Sequence, residues 1–173
     1  MGDPVDKEKS SHYYYNKSNT KIQFSPLGNW FEVENTTMEA DIESFEVFGP
    51  ILGRDKNYIF ITAHAVTNID IDLPSFRVKN EDHMENIGFD KDYIYFFKKV
   101  YENENYKGTG KIIKGANPKT FIRTDYDWAN DGKYHFFKST KVEADFDSFK
   151  VLNEYFAKDK HLIFLSPRIS LNL

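Results

Sequence analysis

The feature that most constrains this chain is a pair of short motifs that recur in a fixed order. One stands at Asp41-Ile42-Glu43-Ser44-Phe45, Asp72-Leu73-Pro74-Ser75-Phe76 and Asp145-Phe146-Asp147-Ser148-Phe149, with Asn117-Pro118-Lys119-Thr120-Phe121 as a fourth copy. The offset from Asp or Asn to Phe is four each time. Asn keeps the side-chain acceptor, Thr keeps the hydroxyl, and the residues between vary freely. A short polar side chain in such a place accepts a backbone N–H two or three residues on. Asp41, Asp72, Asn117 and Asp145 are therefore expected to be structural turn caps, each followed by a Phe aimed at the core. A calcium role for the same four residues is the weaker reading, because Asn117 breaks the carboxylate set.

The other motif opens on Asp and runs into an aromatic strand. Its copies are Asp55-Lys56-Asn57-Tyr58-Ile59-Phe60, Asp90-Lys91-Asp92-Tyr93-Ile94-Tyr95, Asp131-Gly132-Lys133-Tyr134-His135-Phe136 and Asp159-Lys160-His161-Leu162-Ile163-Phe164. The step from Phe to the following Asp is ten residues three times and fourteen once, from Phe76 to Asp90. Repetition at such a period marks an array of supersecondary units. The expected fold is all-β, with antiparallel strand pairs forming a curved meander or a propeller-like array. It is one domain over residues 12–173, with units near 40–60, 72–95, 117–136 and 145–164, after a flexible N-terminus at 1–11.

Asp-Lys-Asn-Tyr at 55–58, Asp-Lys-Asp-Tyr at 90–93 and the run Lys114 to Phe121 resemble the DKNYY family of bacterial repeat proteins. The resemblance spans about residues 40–165. It departs at Asp131-Gly132-Lys133-Tyr134 and Asp159-Lys160-His161-Leu162. It implies a repeat fold and a bacterial source, and it brings no catalytic residue.

Composition narrows the function. The 16 Phe, 11 Tyr and 2 Trp make ring burial on strands the main source of a core. Cysteine is absent, which removes disulfides and thiolate chemistry. The formal charge of −4 argues against nucleic acid as a partner. No apolar run approaches the roughly 18 residues of a membrane span, and residues 1–10 lack the apolar core of a signal peptide, so a cytoplasmic protein is expected. Phosphate loops, dinucleotide fingerprints, HExxH patterns and nucleophile elbows are missing. No two of the five His stand three to five apart, so no local metal pair exists. No enzyme activity, cofactor or metal is expected.

Candidate binding residues fall in three places. From Ile22 to Gly53 there is no Lys or Arg, while Glu32, Glu34, Glu39, Asp41, Glu43 and Glu46 give that stretch a net charge of −6. Five of these, Glu32, Glu34, Glu39, Glu43 and Glu46, could form a docking strip for a basic partner, or simply a solvated face. Tyr106 sits in the loop expected over residues 102–110, at a hairpin tip. Tyr126 and Trp128, flanked by Asp125 and Asp127, could anchor a partner or stack on a sugar, or be buried in the sheet as the rings of neighbouring units are. The expected function is a non-enzymatic protein-binding module. Its most concrete form is an immunity-type inhibitor that neutralises a basic bacterial toxin. An envelope or surface repeat that binds glycan or protein is the alternative.

Overall fold

The structure is a computed structural model and describes residues 1–29, 34–79 and 84–165. It is nearly all β, built from five small antiparallel sheets in chain order. The first holds β1 (Tyr13–Tyr15), β2 (Ile22–Phe24) and β3 (Thr36–Met38). The second holds β4 (Glu46–Val47), β5 (Leu52–Arg54), β6 (Ile59–Ile61) and β7 (His64–Ala65). The third holds β8 (Ile87–Phe89), β9 (Ile94–Glu102) and β10 (Asn105–Ile112). The fourth holds β11 (Ile122–Asp125), β12 (Trp128–Asn130), β13 (His135–Phe137) and β14 (Thr140–Val142). The fifth holds β15 (Lys150–Val151), β16 (Phe156–Lys158) and β17 (Ile163–Leu165). Among the described residues the one helical piece is a 3-10 turn at Leu73–Ser75, and no helix is long and apolar enough to cross a membrane.

The sheets stack, and each pair of neighbours shares a core. Tyr13, Ile22, Phe24 and Met38 meet Val47 and Phe60 between the first two sheets. Leu52, Ile59 and Ile61 meet Phe76, Tyr95 and Phe97 between the second and third. Ile87, Phe89, Ile94 and Phe96 meet Phe121, Ala129 and Phe136 between the third and fourth. Trp128 and Phe137 meet Phe149, Ala157 and Phe164 between the fourth and fifth. No core cluster of described residues joins the fifth sheet to the first. The array is open rather than closed.

The two sequence motifs make one clamp in each of sheets two to five. Asp55, Asp90, Asp131 and Asp159 each open a tight turn between two strands. Their N–H groups donate to the carbonyls of Tyr58, Tyr93, Tyr134 and Leu162 at 3.0–3.1 Å. Oδ1 of each Asp accepts two N–H groups of its own turn, as Asp55 does from Asn57 (2.7 Å) and Tyr58 (2.8 Å). Oδ2 of each accepts the backbone N–H of the other motif's first residue, respectively Asp41 (2.8 Å), Asp72 (3.2 Å), Asn117 (3.1 Å) and Asp145 (2.8 Å). One carboxylate thus satisfies donors of two turns at once, and bonds to an ionised acceptor are the stronger kind.

Phe45, Phe76, Phe121 and Phe149 then need room over the sheet. The residue facing the aromatic of the next strand is small in every unit: Gly53 opposite Phe60, Gly88 opposite Tyr95, Ala129 opposite Phe136 and Ala157 opposite Phe164. A Cβ on Gly88 would lie 2.3 Å from the Phe76 ring. The ring centroids of Phe45 and Phe60, Phe121 and Phe136, and Phe149 and Phe164 are each 5.8 Å apart.

In residues 1–11, expected as a flexible N-terminus, Gly2 donates to Tyr15 O (2.7 Å), Val5 donates to Tyr13 O (2.9 Å) and Ser10 is buried, so backbone groups beside the open β1 edge find partners there. Two sequence expectations require correction. Residues 66–73, with Asp70 and Asp72 interleaved among apolar residues, suggest a strand but form none beyond a Val66–Gly108 bridge. Residues 105–110, expected as loop, are strand β10, and the turn is Asn103-Glu104, both with positive φ. Residues 149–157, where the repeat register predicts strand over some helical spacing, hold β15, a turn and the start of β16. The strand expected at Trp30 to Glu34 and the loop at Asn80 to Asn86 lie mostly outside the described residues.

Candidate functional site

The third sheet breaks the repeat. Strands in the other sheets run two to four residues, whereas β9 and β10 run nine and eight. Beyond Phe97, whose N–H still donates to Asn86 O, β9 pairs with β10 alone among the described residues. The hairpin is anchored where it crosses the second sheet. A Cβ on Gly108 would lie 2.4 Å from His64 O, so only glycine permits that approach. Asn68 pairs with the backbone of Gly110 as a strand would, donating to its carbonyl and accepting its N–H, both at 2.8 Å. The tip projects from this anchor.

Between the tip and β3 runs an open groove of about 1050 Å³. Its hairpin side carries Lys99, Tyr101, Glu104, Tyr106 and Lys107. Its other side carries Glu34, Thr36, Thr37 and Glu39, and His64 lies between. Among the described residues β3 pairs only with β2, so it is the edge of its sheet. Tyr106 is 52% exposed and lies 4.9 Å from Tyr101 and 5.9 Å from His64 between ring centroids. Lys99 Nζ stands 4.4 Å over the Tyr106 ring, a cation–π contact that holds the ring upright. Burial first, then the Lys99 charge, pushes the His64 imidazole below its ordinary value.

The expected binding residues separate. Glu34, Glu39 and Tyr106 line this groove. Glu32 lies outside the described residues. Glu39, Asp41 and Glu46 of the acidic stretch are matched by cations from neighbouring strands: Lys21 (3.1 Å), Lys56 (2.6 Å) and Arg54 (3.0 Å). Glu34 and Glu43 make no ion pair among the described residues. Among its described residues, the stretch without a Lys or Arg is thus interleaved with positive charge at Glu39, Asp41 and Glu46 once folded.

Asp125, Tyr126, Asp127 and Trp128 belong to the fourth sheet. Trp128 is 1% exposed and packs 4.7 Å from Phe137, which corrects its expected role as a surface platform. Tyr126 is exposed in its turn, and Asp127 pairs with Arg123 and with Lys138 (3.2 Å). Asp125 is exposed.

The clamps carry the perturbed ionisations. The Lys56 and Ser44 hydrogen bonds hold Asp41 below the usual carboxylate range. Ser75 and Lys91 do the same for Asp72. Asp145, with Lys160 and Ser148, falls to about 2. Asp90 is buried, which opposes ionisation, yet bonds from Tyr95 and from the backbone N–H groups of Tyr93, Asp92 and Asp72 hold it low. These carboxylates are already filled by donors from their own chain. Among the described residues no three His, Asp or Glu side chains gather as metal ligands. His135 is stacked between Phe146 (4.6 Å) and Phe149 (3.9 Å). Comparison with protein-family models, with curated proteins and with solved structures finds no match.

Proposed function

We propose that this chain is a non-enzymatic protein-binding module that holds its partner in the groove between β3 and the β9–β10 hairpin. The observation that carries this reading is the break in the repeat. The second, fourth and fifth units are trimmed to their clamps, while among the described residues the hairpin of the third is extended and set with exposed rings beside a strand edge. Tyr is favoured at binding hot spots because it gives much contact area at little conformational cost. An edge strand can accept an extended segment by backbone pairing.

The most concrete version is an immunity-type inhibitor that neutralises a cognate bacterial toxin, acting in the cytoplasm. Glu34 and Glu104 along the groove would meet basic groups of that partner. The chain's place among the DKNYY repeats is part of the same proposal, supported by the role of the shared Asp-Lys pair in the clamp. The exposed Tyr101 and Tyr106 rings also favour a second reading, an envelope or surface repeat that stacks on a sugar.

The test is capture of partners by the tagged chain from a bacterial lysate, with the Tyr101→Ala/Tyr106→Ala variant beside it. A stoichiometric basic protein, lost in the variant and weakened by salt, is the expected result. A partner retained equally by the variant would overturn the groove as the site. Glycan binding with no protein captured would favour the second reading.

A further inference from the structure

We propose that the outward face of the fifth sheet is the interface through which two copies of this chain associate about a two-fold axis. The argument starts from the repeat. In the second, third and fourth sheets, the outward positions opposite one another on the central strands are Leu52 and Ile61, Ile87 and Phe96, and Trp128 and Phe137. All six are buried, because the next sheet lies on them. The corresponding pair in the fifth sheet is Phe156 and Leu165. Phe156 is exposed. Ile59 and Ile94 are each 1% exposed, whereas Ile163, at the same place in β17, is 73% exposed. Leu152, whose N–H bonds the Phe156 carbonyl, is also exposed.

Among the described residues, the fifth sheet thus presents the face that is covered by a further sheet in three other units. The occupant that matches it is another sheet face of the same kind. The two ends of the array decide which one. At the first sheet the outward row, in register across β1, β2 and β3, is Tyr14, Gln23 and Thr37. Tyr14 is buried, and Gln23 donates to Asn35 Oδ1 at 2.9 Å. Among the described residues that is a polar end, the kind that caps a repeat array. Docking the fifth sheet of one copy on the first sheet of another would set Phe156 against Gln23 and Thr37, and the contact would propagate without closing. Docking fifth sheet on fifth sheet sets apolar face on apolar face and closes at two copies. Lys150 and Lys158, opposite one another at the margin of the face, can lay their stems on it and keep their charges in water.

The test is sedimentation of the full chain across the micromolar range, with the Phe156→Asp/Ile163→Glu variant. A dimer is expected, with the variant raising its dissociation constant by roughly 100-fold or more. Tyr106→Ala should leave the dimer intact, which separates this interface from the groove. A monomer at every concentration would overturn the proposal. Should the double variant fold poorly, single-cysteine chains serve instead, since the protein has no other Cys. The thiol of an Ile163→Cys chain should be protected at high concentration and become reactive on dilution, while that of a Gln23→Cys chain reacts alike at both. Concentration-independent reactivity at position 163 would overturn the proposal. So would concentration-independent protection, which would mean a cover from within the same chain.

Discussion

The carboxylate of Asp159 accepts the backbone N–H of Asp145 at 2.8 Å. This bond joins the two sequence motifs of one unit, and its counterparts join them in three more. Asp90 makes the fullest version. It is 2% exposed and accepts bonds from Asp72, Asp92, Tyr93 and the Tyr95 hydroxyl (2.5 Å). Asp90→Ala leaves those donors without their acceptor and should destabilise the fold by about 3 kcal/mol. Ser75→Ala removes the hydroxyl that links Asp72 and Lys91 and should cost about 1 kcal/mol. Urea unfolding measures both.

Gly88 and Phe76 are a matched pair, since the ring fills the volume that a side chain at 88 would need. Gly88→Ala should destabilise by roughly 1–3 kcal/mol through overpacking. Adding Phe76→Leu should recover part of that loss. A double-mutant cycle in thermal unfolding checks the coupling, and strict additivity would contradict it.

Stability should fall on acidification through a defined window. Asp41, Asp72, Asp90, Asp145 and Asp159 all lie below their ordinary 3.8 when folded. A carboxylate depressed by folding stabilises the native state above its unfolded value. That contribution drains as pH falls through the folded value. The loss should begin near pH 4 and continue to about 2, where Asp145 titrates. At the alkaline end Lys56, Lys91 and Lys160 are raised above 10.5, so their share is lost only as pH climbs past that value. Melting temperature against pH reads both limbs.

The third clamp lacks the lysine, with Gly132 standing where Lys56, Lys91 and Lys160 stand. It also lacks the anion, with Asn117 standing where Asp41, Asp72 and Asp145 stand. The two losses match, because a carboxylate at 117 would face Asp131 with no cation between. Asn117→Asp should therefore destabilise at neutral pH by about 1 kcal/mol, and the cost should shrink as salt rises or pH falls. Denaturant midpoints at two salt concentrations test this.

The all-β repeat could be read in the sequence because its turn chemistry is local. Asp41 bonds Ser44 three residues on, and a constant offset records that. The bond from Asp41 to Asp55 spans fourteen residues, and only the equal Asp-to-Asp spacing of three units hinted at it. Gly108 and Gly110 looked like loop residues, but Gly108 is small because β7 passes close by, and Gly110 because Ile69 and Phe97 fill the space beside it. Trp128 could be read as a surface anchor or as a buried ring, and strand alternation decides it by turning the ring into the next sheet's core. The acidic stretch looked unbroken because its cations arrive from strands outside it. Of the groove, Tyr106 and two glutamates could be picked out from sequence. His64 and Lys99 reach it only through the sheet-to-sheet crossing.

The fourteen-residue clamp also bears on how the chain folds. Closing a loop of that length costs little chain entropy, and three of the four clamps close at that span while the fourth closes at eighteen. Each unit can therefore form its own turns before meeting a neighbour, and docking then proceeds between consecutive units. Low sequence separation of this kind favours rapid folding for an all-β chain, and any of the clamped units can serve as the starting point.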